Sequence, residues 1–396
     1  MYRLSCLFFA VFLFISCGSG NVGTNSGTDS GHGHDRVDAD DSVTDVDNTD
    51  DYDNTGYDDD DIVESDEDDD EIDFDDDDDV IVEIDDDPDD DDIEEPDDGD
   101  IEDPDDYVCG GGWDIENPDS DSIKIRIVAG NITSGNDQSY DPGHGIRIFK
   151  ALKPDIALVQ EMNYKNNSNN DYENFAQQIV GTDCYAVDSA DYQIPNGVVS
   201  RYPIKSKGYW KDPNINNRAL MWAIVDIPGD VDIFAISVHL HTSPASDQIK
   251  AAQVIVDEIA KVKANNPGKY YYVVGGDFNG DSAVSSNGFG KNSTFYVDGP
   301  DPVDEDGYAE TNRNRNKQYD FVLADYPMHE FQVPVIYYSS EDPTKTKCYE
   351  DGLVFDTRLY SQSELDEYFS PADINDSGAS QMQHMAVVKD FLIELK

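Results

Sequence analysis

The feature that most constrains the fold is a long acidic run at residues 35–107. The whole chain carries a net charge of −61, and this run contributes about −42 of it. Like charges at this density repel one another, and the run has too little apolar surface to offset the entropy lost on folding. We therefore predict that residues 18–112 form a disordered linker, Gly/Ser-rich first and Asp/Glu-rich afterwards. Calcium binding stays open as an alternative, although the run lacks the fixed spacing of a specific calcium loop.

A short apolar segment precedes the linker. Residues 7–15 are apolar, follow a single early charge, and are too few to span a bilayer. Residues 14–17 (Phe-Ile-Ser-Cys) resemble a lipoprotein cleavage box, in which Cys17 becomes the lipid-bearing first residue of the mature protein, although Phe14 stands where Leu is usual. We predict a lipoprotein-type signal peptide over residues 1–17. The protein is then lipid-anchored in a bacterial cell envelope, or it is simply secreted.

Residues 113–396 have the composition of a globular domain. About 280 residues are enough for one large α/β domain. Its net charge is still about −20, which argues against a non-specific nucleic-acid binder, since such proteins are basic. The charge does not exclude an enzyme that approaches phosphates through a metal ion.

The stretch at residues 270–280 reads YYYVVGGDFNG. Its first five residues are typical of a strand buried on both faces. We expect Gly275 and Gly276 to end this strand and to let the backbone approach a neighbouring group. In an extended segment Asp277 and Asn279 point to the same side, which suits a site for a hard metal or a polarised water. The alternative is a turn in which these side chains bond to their own backbone.

Polar side chains also stand at the ends of other predicted strands: Asn131 after residues 123–129, Glu161 after 156–159, His239 and His241 at the end of 231–240, Asp320 near the start of 318–323, and His384 before the closing strand. In strand–helix–strand arrangements such ends meet at one crevice, where ligands bind. Imidazole groups there can donate to phosphate oxygens near neutral pH. The domain has one basic cluster, at residues 312–317, which is either a contact for an anionic substrate or a solvated loop.

Taken in order, these stretches resemble the endonuclease/exonuclease/phosphatase superfamily, whose fold is the deoxyribonuclease I-like fold. The resemblance covers about residues 123–396. It rests on Gly130-Asn131, Pro154-Asp155, Gln160-Glu161, residues 200–204, Val238-His239-Leu240, Gly276-Asp277-Phe278-Asn279, Tyr319-Asp320-Phe321 and His384. It implies an α/β (α+β) four-layer sandwich, in which two packed, mostly antiparallel β-sheets are flanked by helices. It also implies divalent-metal hydrolysis of phosphoester bonds.

The resemblance further implies a role for each site residue. Glu161 is expected to bind the metal with Asn131 nearby, and the ion is expected to be Mg²⁺, with Mn²⁺ or Ca²⁺ as alternatives. The implied catalytic residues are Asp277 and Asn279 for the attacking water and the phosphate, His239 for the phosphoryl group, and His384 as general acid/base oriented by Asp320. The predicted substrate-binding residues are Arg201, Asn217 and His241, the last also being the alternative to His239.

One position departs from the family pattern. The family usually has Asp before the last histidine, where this chain has Gln383. The change removes a carboxylate that can help to bind metal or tune His384, and it keeps an inactive homologue open as an alternative.

We therefore predict a Mg²⁺-dependent phosphodiesterase, most of all a nuclease, that is a monomer and acts on nucleic acid or another phosphodiester. The only predicted membrane contact is the lipid anchor. One alternative is a phosphodiesterase or phosphatase of the same fold that acts on phospholipids or inositol phosphates. The other is a non-catalytic surface protein whose acidic linker binds cations.

Overall fold

The computed structural model describes residues 121–135, 140–189, 191–280 and 284–395. The predicted signal peptide, the predicted linker and residues 113–120 of the predicted domain lie outside these ranges. Within the ranges described, the structure contains no helix with the length and apolar character that a membrane crossing requires.

The described residues form strands and helices in alternation. In chain order the strands are β1 (Ser122–Gly130), β2 (Ile156–Val159), β3 (Tyr185–Val187), β4 (Gly197–Ser200), β5 (Ile204–Trp210), β6 (Leu220–Val225), β7 (Asp232–His239), β8 (Tyr270–Asp277), β9 (Asp320–Ala324), β10 (Gln332–Val333), β11 (Val335–Tyr338), β12 (Thr346–Tyr349), β13 (Leu353–Phe355) and β14 (Ala386–Glu394). The helices are α1 (His144–Leu152), α2 (Asn169–Ile179), α3 (Ala245–Asn265), α4 (Tyr326–His329) and α5 (Gln362–Tyr368). Three further helical segments, which are not α-helices, lie at Ser285–Phe289, Lys291–Ser293 and Thr357–Leu359.

The strands make two large sheets. The first has the order β10-β14-β1-β2-β4-β3, with β13 also paired to β14, and the second has the order β5-β6-β7-β8-β9. Strands β11 and β12 form a separate pair. Each large sheet contains one parallel pair, β1 with β2 and β7 with β8, and its other pairs are antiparallel. The prediction of mostly antiparallel sheets is confirmed.

Three apolar clusters separate four layers. Phe149 of α1 packs in a cluster on the outer face of the first sheet. Ile127 and Val273 belong to the cluster between the two sheets, and Ile255 of α3 belongs to the one on the outer face of the second sheet. Strand side chains alternate between faces, so β1 places Ile127 between the sheets and Val128 against the helices. The predicted four-layer sandwich is confirmed.

Helix α1 begins later than the sequence suggests. Asp141 and Pro142 are typical of a helix start, but the helix begins at His144 and its N-cap is Gly143. Gly143 has a φ of 88°, a left-handed conformation that glycine adopts readily and that separates Pro142 from the helix. The end of the helix is as predicted, with Lys153 at the C-cap directly before Pro154.

Strand β8 continues through both of its glycines to Asp277, so the prediction that Gly275 and Gly276 end the strand is wrong. Pairing with β7 and β9 persists through both positions because each glycine keeps its ladder partners. The predicted close approach is confirmed. A Cβ atom on Gly275 would lie 2.9 Å from Cδ1 of Leu158 in the other sheet, and one on Gly276 would lie 2.2 Å from the carbonyl oxygen of Val238.

Gly276→Ala is expected to lower the free energy of unfolding by about 3 kcal/mol or more, since the methyl group would overlap backbone atoms. Gly276 also has a φ of 129°, which alanine tolerates poorly. Gly181→Ala is the matched control, because Gly181 has a φ of 80° and nothing within 4 Å of the added atom; it should lose about 1 kcal/mol. Urea denaturation of both variants tests this, and equal losses would contradict the steric explanation.

Candidate active site

Six polar side chains meet at one end of the two sheets. Strands β1, β2, β7 and β8 run toward this end, while β9 and β14 begin there. This direction of the strands brings together Asn131, Glu161, His239, Asp277, Asp320 and His384, which we call the strand-end cluster. Every one of the predicted catalytic and metal-binding residues except Asn279 belongs to it.

Asn131 and Glu161 lie at the centre of the cluster. The side-chain amide of Asn131 donates to Oε1 of Glu161 at 3.0 Å and to Oδ2 of Asp277 at 3.2 Å. The other oxygen of Glu161, Oε2, accepts from the backbone N–H of Gly135 at 2.8 Å. Gln383, the position that departs from the family pattern, has its amide oxygen 3.5 Å from the Asn131 amide nitrogen. It therefore lies at the edge of the same network.

His384 lies against two carboxylates. Its Nδ1 atom is 2.8 Å from Oδ2 of Asp320 and 3.7 Å from Oδ2 of Asp277. The other oxygen of Asp320 accepts from the backbone N–H of Asn131 at 2.9 Å, which fixes the carboxylate. Burial lowers the pKa of His384, but Asp320, Asp277 and Glu161 outweigh that effect and raise it to about 9. His384 is thus cationic at neutral pH.

His239 lies in the same cluster, but its pKa is shifted in the opposite direction. Its Nδ1 atom is 3.7 Å from Oε1 of Glu161, and its Nε2 atom is 3.4 Å from Oδ2 of Asp277. Burial holds the pKa of His239 well below its usual value, and the nearby charges of Arg218 and His384 lower it further. His239 is therefore a neutral imidazole, so one histidine of each charge state faces Asp277.

Asp277 belongs both to the cluster and to a local turn, which were the two alternatives considered for this segment. One oxygen, Oδ1, accepts from the backbone N–H of Asn279 at 2.8 Å, which is a local turn. The other, Oδ2, faces the cluster. Burial raises the pKa of Asp277, the His384 cation lowers it, and the Asp320 carboxylate raises it again; the net shift is upward.

Asn279 does not lie where an extended segment would place it. Its φ is 48°, a left-handed conformation, because β8 ends at Asp277 and the chain turns. Its side-chain amide donates to the carbonyl oxygen of Leu240 at 3.0 Å. The prediction that Asp277 and Asn279 share one side is therefore wrong. Asn279 instead connects the loop after β8 to the loop after β7.

The predicted substrate-binding residues lie at different places in the structure. Arg201 follows β4, which is antiparallel to β2, so it lies at the sheet end opposite Glu161 and 3.4 Å from Asp155. The structure therefore does not bring Arg201 to the strand-end cluster. His241 lies past the end of β7, with its Nδ1 atom 3.7 Å from Asp247, and it is not part of the cluster. Of the two histidines, the structure brings His239 and not His241 to the carboxylates.

Asn217 lies just before β6, whose first residues pair with the cluster end of β7. Its side-chain oxygen accepts from Arg218 at 3.2 Å. Asn217 is therefore beside the site, without a contact to the cluster among the residues the structure describes.

Arg218 was not predicted from the sequence, and it contacts the end of β7, where His239 lies. The buried guanidinium donates to the carbonyl oxygens of His239 at 2.6 Å and of Leu240 at 2.8 Å. The missed signal is a single arginine directly before the apolar run of β6. Thr311 was also missed; its hydroxyl accepts from the backbone N–H of Asp320 at 2.9 Å. A lone threonine in a loop carries no sequence signal for this role.

The oxygen atoms of the cluster decide whether a divalent ion suits it. In the ranges that the structure describes, no group of three or more His, Cys, Asp and Glu side chains is arranged to hold an ion. Mg²⁺, however, needs few protein oxygens because it keeps several waters. The buried Oδ1 atom of Asn131 has no hydrogen-bond partner among the described residues, and it belongs to the residue that contacts the Glu161 carboxylate. Asn131 and Glu161 therefore fit a Mg²⁺ ion.

The chain was compared with known proteins in sequence and in structure. The sequence profile of the Endonuclease/Exonuclease/phosphatase family matches residues 131–333, just over half of the chain. A comparison with curated protein sequences finds no match.

Similar solved structures include truncated Caenorhabditis elegans TDP2, with 16% identity and a TM-score of 0.43 over 68% of this chain and 98% of the other. An endonuclease/exonuclease/phosphatase family protein from Bacteroides thetaiotaomicron has 11% identity and a TM-score of 0.43 over 69% of this chain and 99% of the other. The mannosyl-6-phosphatase of Bacteroides thetaiotaomicron VPI-5482 has 12% identity and a TM-score of 0.42 over 68% of this chain and 99% of the other.

Proposed function

Because the chain belongs to the endonuclease/exonuclease/phosphatase family, whose members are phosphoesterase hydrolases, we propose that it is a metal-dependent phosphodiesterase that cleaves nucleic acid. The strand-end cluster is its active site. The observation that carries this proposal is the meeting of a cationic His384 and a neutral His239 at Asp277, beside the oxygen atoms of Asn131 and Glu161. This set combines a proton donor, a proton acceptor and a place for a cation.

Asn131 and Glu161 are the residues that would hold the ion, and Mg²⁺ is the expected one. When bound, the ion offsets negative charge that develops on the phosphate and favours ionisation of water. Gly135 supports this function by donating its backbone N–H to Glu161, so the carboxylate keeps one orientation.

The proton transfers belong to Asp277 and His384. Asp277 has a raised pKa and is suited to take the proton of the attacking water. His384 bonds to Asp320 through Nδ1, which leaves Nε2 to give its proton to the leaving oxygen. The phosphorus–oxygen bond to the leaving group breaks as the bond to the water oxygen forms. Neutral His239 can donate a hydrogen bond to the phosphoryl group.

Nucleic acid is the favoured substrate because of the loop at residues 312–317. Asn312 of this loop pairs with His384 through an isolated β-bridge, so the loop borders the cluster. Arg313 and Lys317 are exposed there, whereas Arg315 is tied inward by ion pairs to Asp304 and Asp356. Two exposed cations beside the cluster suit a polymer with phosphates on either side of the cleaved bond. They are less needed for a single phosphate group.

A substrate panel on the full chain tests the proposal. Plasmid DNA, single-stranded DNA, RNA, sphingomyelin vesicles, inositol phosphates and a sugar phosphate are each incubated with Mg²⁺ and then with excess chelator. Cleavage of a nucleic acid that stops with chelator is the expected result. Release of phosphocholine or of inorganic phosphate without cleavage of any polymer would contradict the nuclease assignment.

The double variant Arg313→Ala/Lys317→Ala is expected to raise KM for DNA by about tenfold and to weaken its salt dependence, since two phosphate contacts are lost. Hydrolysis of a small phosphodiester, bis(p-nitrophenyl) phosphate, should change less than about twofold, because it does not reach the loop. The matched control is Lys261→Ala, an exposed lysine on α3 that pairs with Glu258. An unchanged KM for DNA in the double variant would show that the loop is exposed to solvent and does not contact the substrate.

A further inference from the structure

A cavity of about 390 Å³ lies at one edge of the sandwich and shares no residue with the strand-end cluster. Its lining includes Tyr296, Asp301, Leu323, His329, Asp351 and Lys389. Lys389 belongs to the first sheet and Leu323 to the second. Leu323 packs in the cluster on the outer face of the second sheet, so the cavity lies beside the edge strand β9. It is separate from the proposed catalytic chemistry.

Lys389 occupies a position in β14 where an apolar residue is expected. Its neighbours on the same face, Val387 and Phe391, both belong to the core between the sheets, and strand side chains alternate. Between the parts of β14 that pair with β13 and with β10, Lys389 has no strand partner on this side in the part of the chain that the structure describes. Pairing with β13 ends at Val388, and pairing with β10 begins at Asp390. The lysine side chain thus points inward and reaches solvent through the cavity.

Among the residues that the structure describes, the Lys389 ammonium forms no hydrogen bond and no ion pair within 4 Å. Burial lowers the pKa of Lys389 to about 8, and the carboxylates of Asp301 and Asp351 only partly oppose that shift. A partly buried, unpaired cation destabilises a fold. Departures of this kind from the expected pattern are concentrated at functional sites.

The cavity is also lined by aromatic, apolar and acidic side chains. Tyr296 is stacked on His329, with ring centroids 3.6 Å apart and an angle of 13° between the planes. Leu323 adds an apolar surface. Carboxylates of Asp301 and Asp351 line the cavity together with Glu330 and Glu350, and all of these but Asp351 are exposed. The cavity lining therefore combines a partly buried cation, exposed acids and a stacked aromatic pair.

We propose that this cavity binds a small zwitterion of the aromatic α-amino acid type. Its carboxylate pairs with Lys389, its ammonium group meets the exposed acids, and its ring packs against the stacked pair of Tyr296 and His329. Each group of the ligand then meets a group of opposite charge or of similar polarity. The binding is independent of the proposed hydrolase activity, because the two sites have no residue in common.

Isothermal titration calorimetry on the full chain tests the assignment with three probes of one shape. L-phenylalanine carries both charges, 3-phenylpropionate only the negative one, and 2-phenylethylamine only the positive one. L-phenylalanine is expected to bind, and each singly charged analogue is expected to bind at least about tenfold more weakly. Absence of L-phenylalanine binding at about 10 mM, or equal binding of 3-phenylpropionate, would overturn the proposal.

Two variants separate binding from folding. Lys389→Met is expected to weaken L-phenylalanine binding at least about tenfold and to raise Tm by about 3 °C or more, because a desolvated charge is replaced by an apolar chain of similar length. Asp301→Asn, at an exposed position, should weaken L-phenylalanine binding but not 3-phenylpropionate binding. Lys261→Met on α3 is the matched control. Unchanged L-phenylalanine binding in Lys389→Met would overturn the assignment.

Discussion

His384→Gln is expected to lower kcat/KM for phosphodiester cleavage by about 10³-fold, which is the usual range for loss of a general acid. Glutamine can donate a hydrogen bond but cannot release a proton to the leaving oxygen. The wild-type histidine can, since the surrounding carboxylates raise the pKa of His384 to about 9 and keep it protonated at neutral pH. Steady-state kinetics with Mg²⁺ and a fluorescent DNA substrate measure the effect.

The control for this experiment is His241→Gln. His241 is two residues beyond His239, yet its side chain is 34% exposed and lies beside Asp247 rather than in the cluster. We expect its kcat/KM to remain within about threefold of wild type. A loss in His241→Gln as large as that in His384→Gln would contradict the assignment of roles, provided that thermal unfolding shows both variants to be folded.

Asp320→Asn is expected to lower kcat by about 10²- to 10³-fold and to change the pH profile. The carboxylate orients His384 through the 2.8 Å contact with Nδ1 and raises its pKa. A neutral amide removes that attraction, so the pKa of His384 falls. His384 then loses its proton at a lower pH. The alkaline limb of kcat/KM, expected near pH 9 in the wild type, should therefore move to lower pH.

Asp325→Asn is the matched control for the pH profile. Asp325 directly follows β9 and is as deeply buried as Asp320, but it caps α4 and pairs with Lys263. Its substitution should lower the free energy of unfolding by about 1 to 2 kcal/mol through loss of the cap, without moving the alkaline limb. An unchanged alkaline limb in Asp320→Asn would show that Asp320 does not govern the protonation of His384.

The sequence by itself located the strands that carry the site and the polar residues at their ends. Strand β2 covers the predicted residues 156–159 and is followed by Glu161, because a short apolar run bounded by Pro154 and polar residues is local information. The two-sheet sandwich was implied by the family resemblance, which rests on the order of the motifs. Each motif is a strand end whose residues are close in the chain.

Strand direction and loop conformation needed the tertiary structure. Arg201 and Glu161 both follow strands of one sheet, yet antiparallel pairing of β2 with β4 places them at opposite ends. Asn279 takes a left-handed conformation after β8, which an alternation pattern does not encode. His239 was already favoured over His241 from the sequence, and it is the one whose side chain reaches Asp277.

The charge states of the site are the last property that only the fold decided. His239 and His384 are the same residue type, but one is neutral and the other cationic. The difference arises because β8 and β9 bring Asp277 and Asp320 against His384, while His239 is buried near the Arg218 guanidinium. Electrostatic energy depends on distances between groups that are far apart in the chain, so those energies exist only once the sheets have packed.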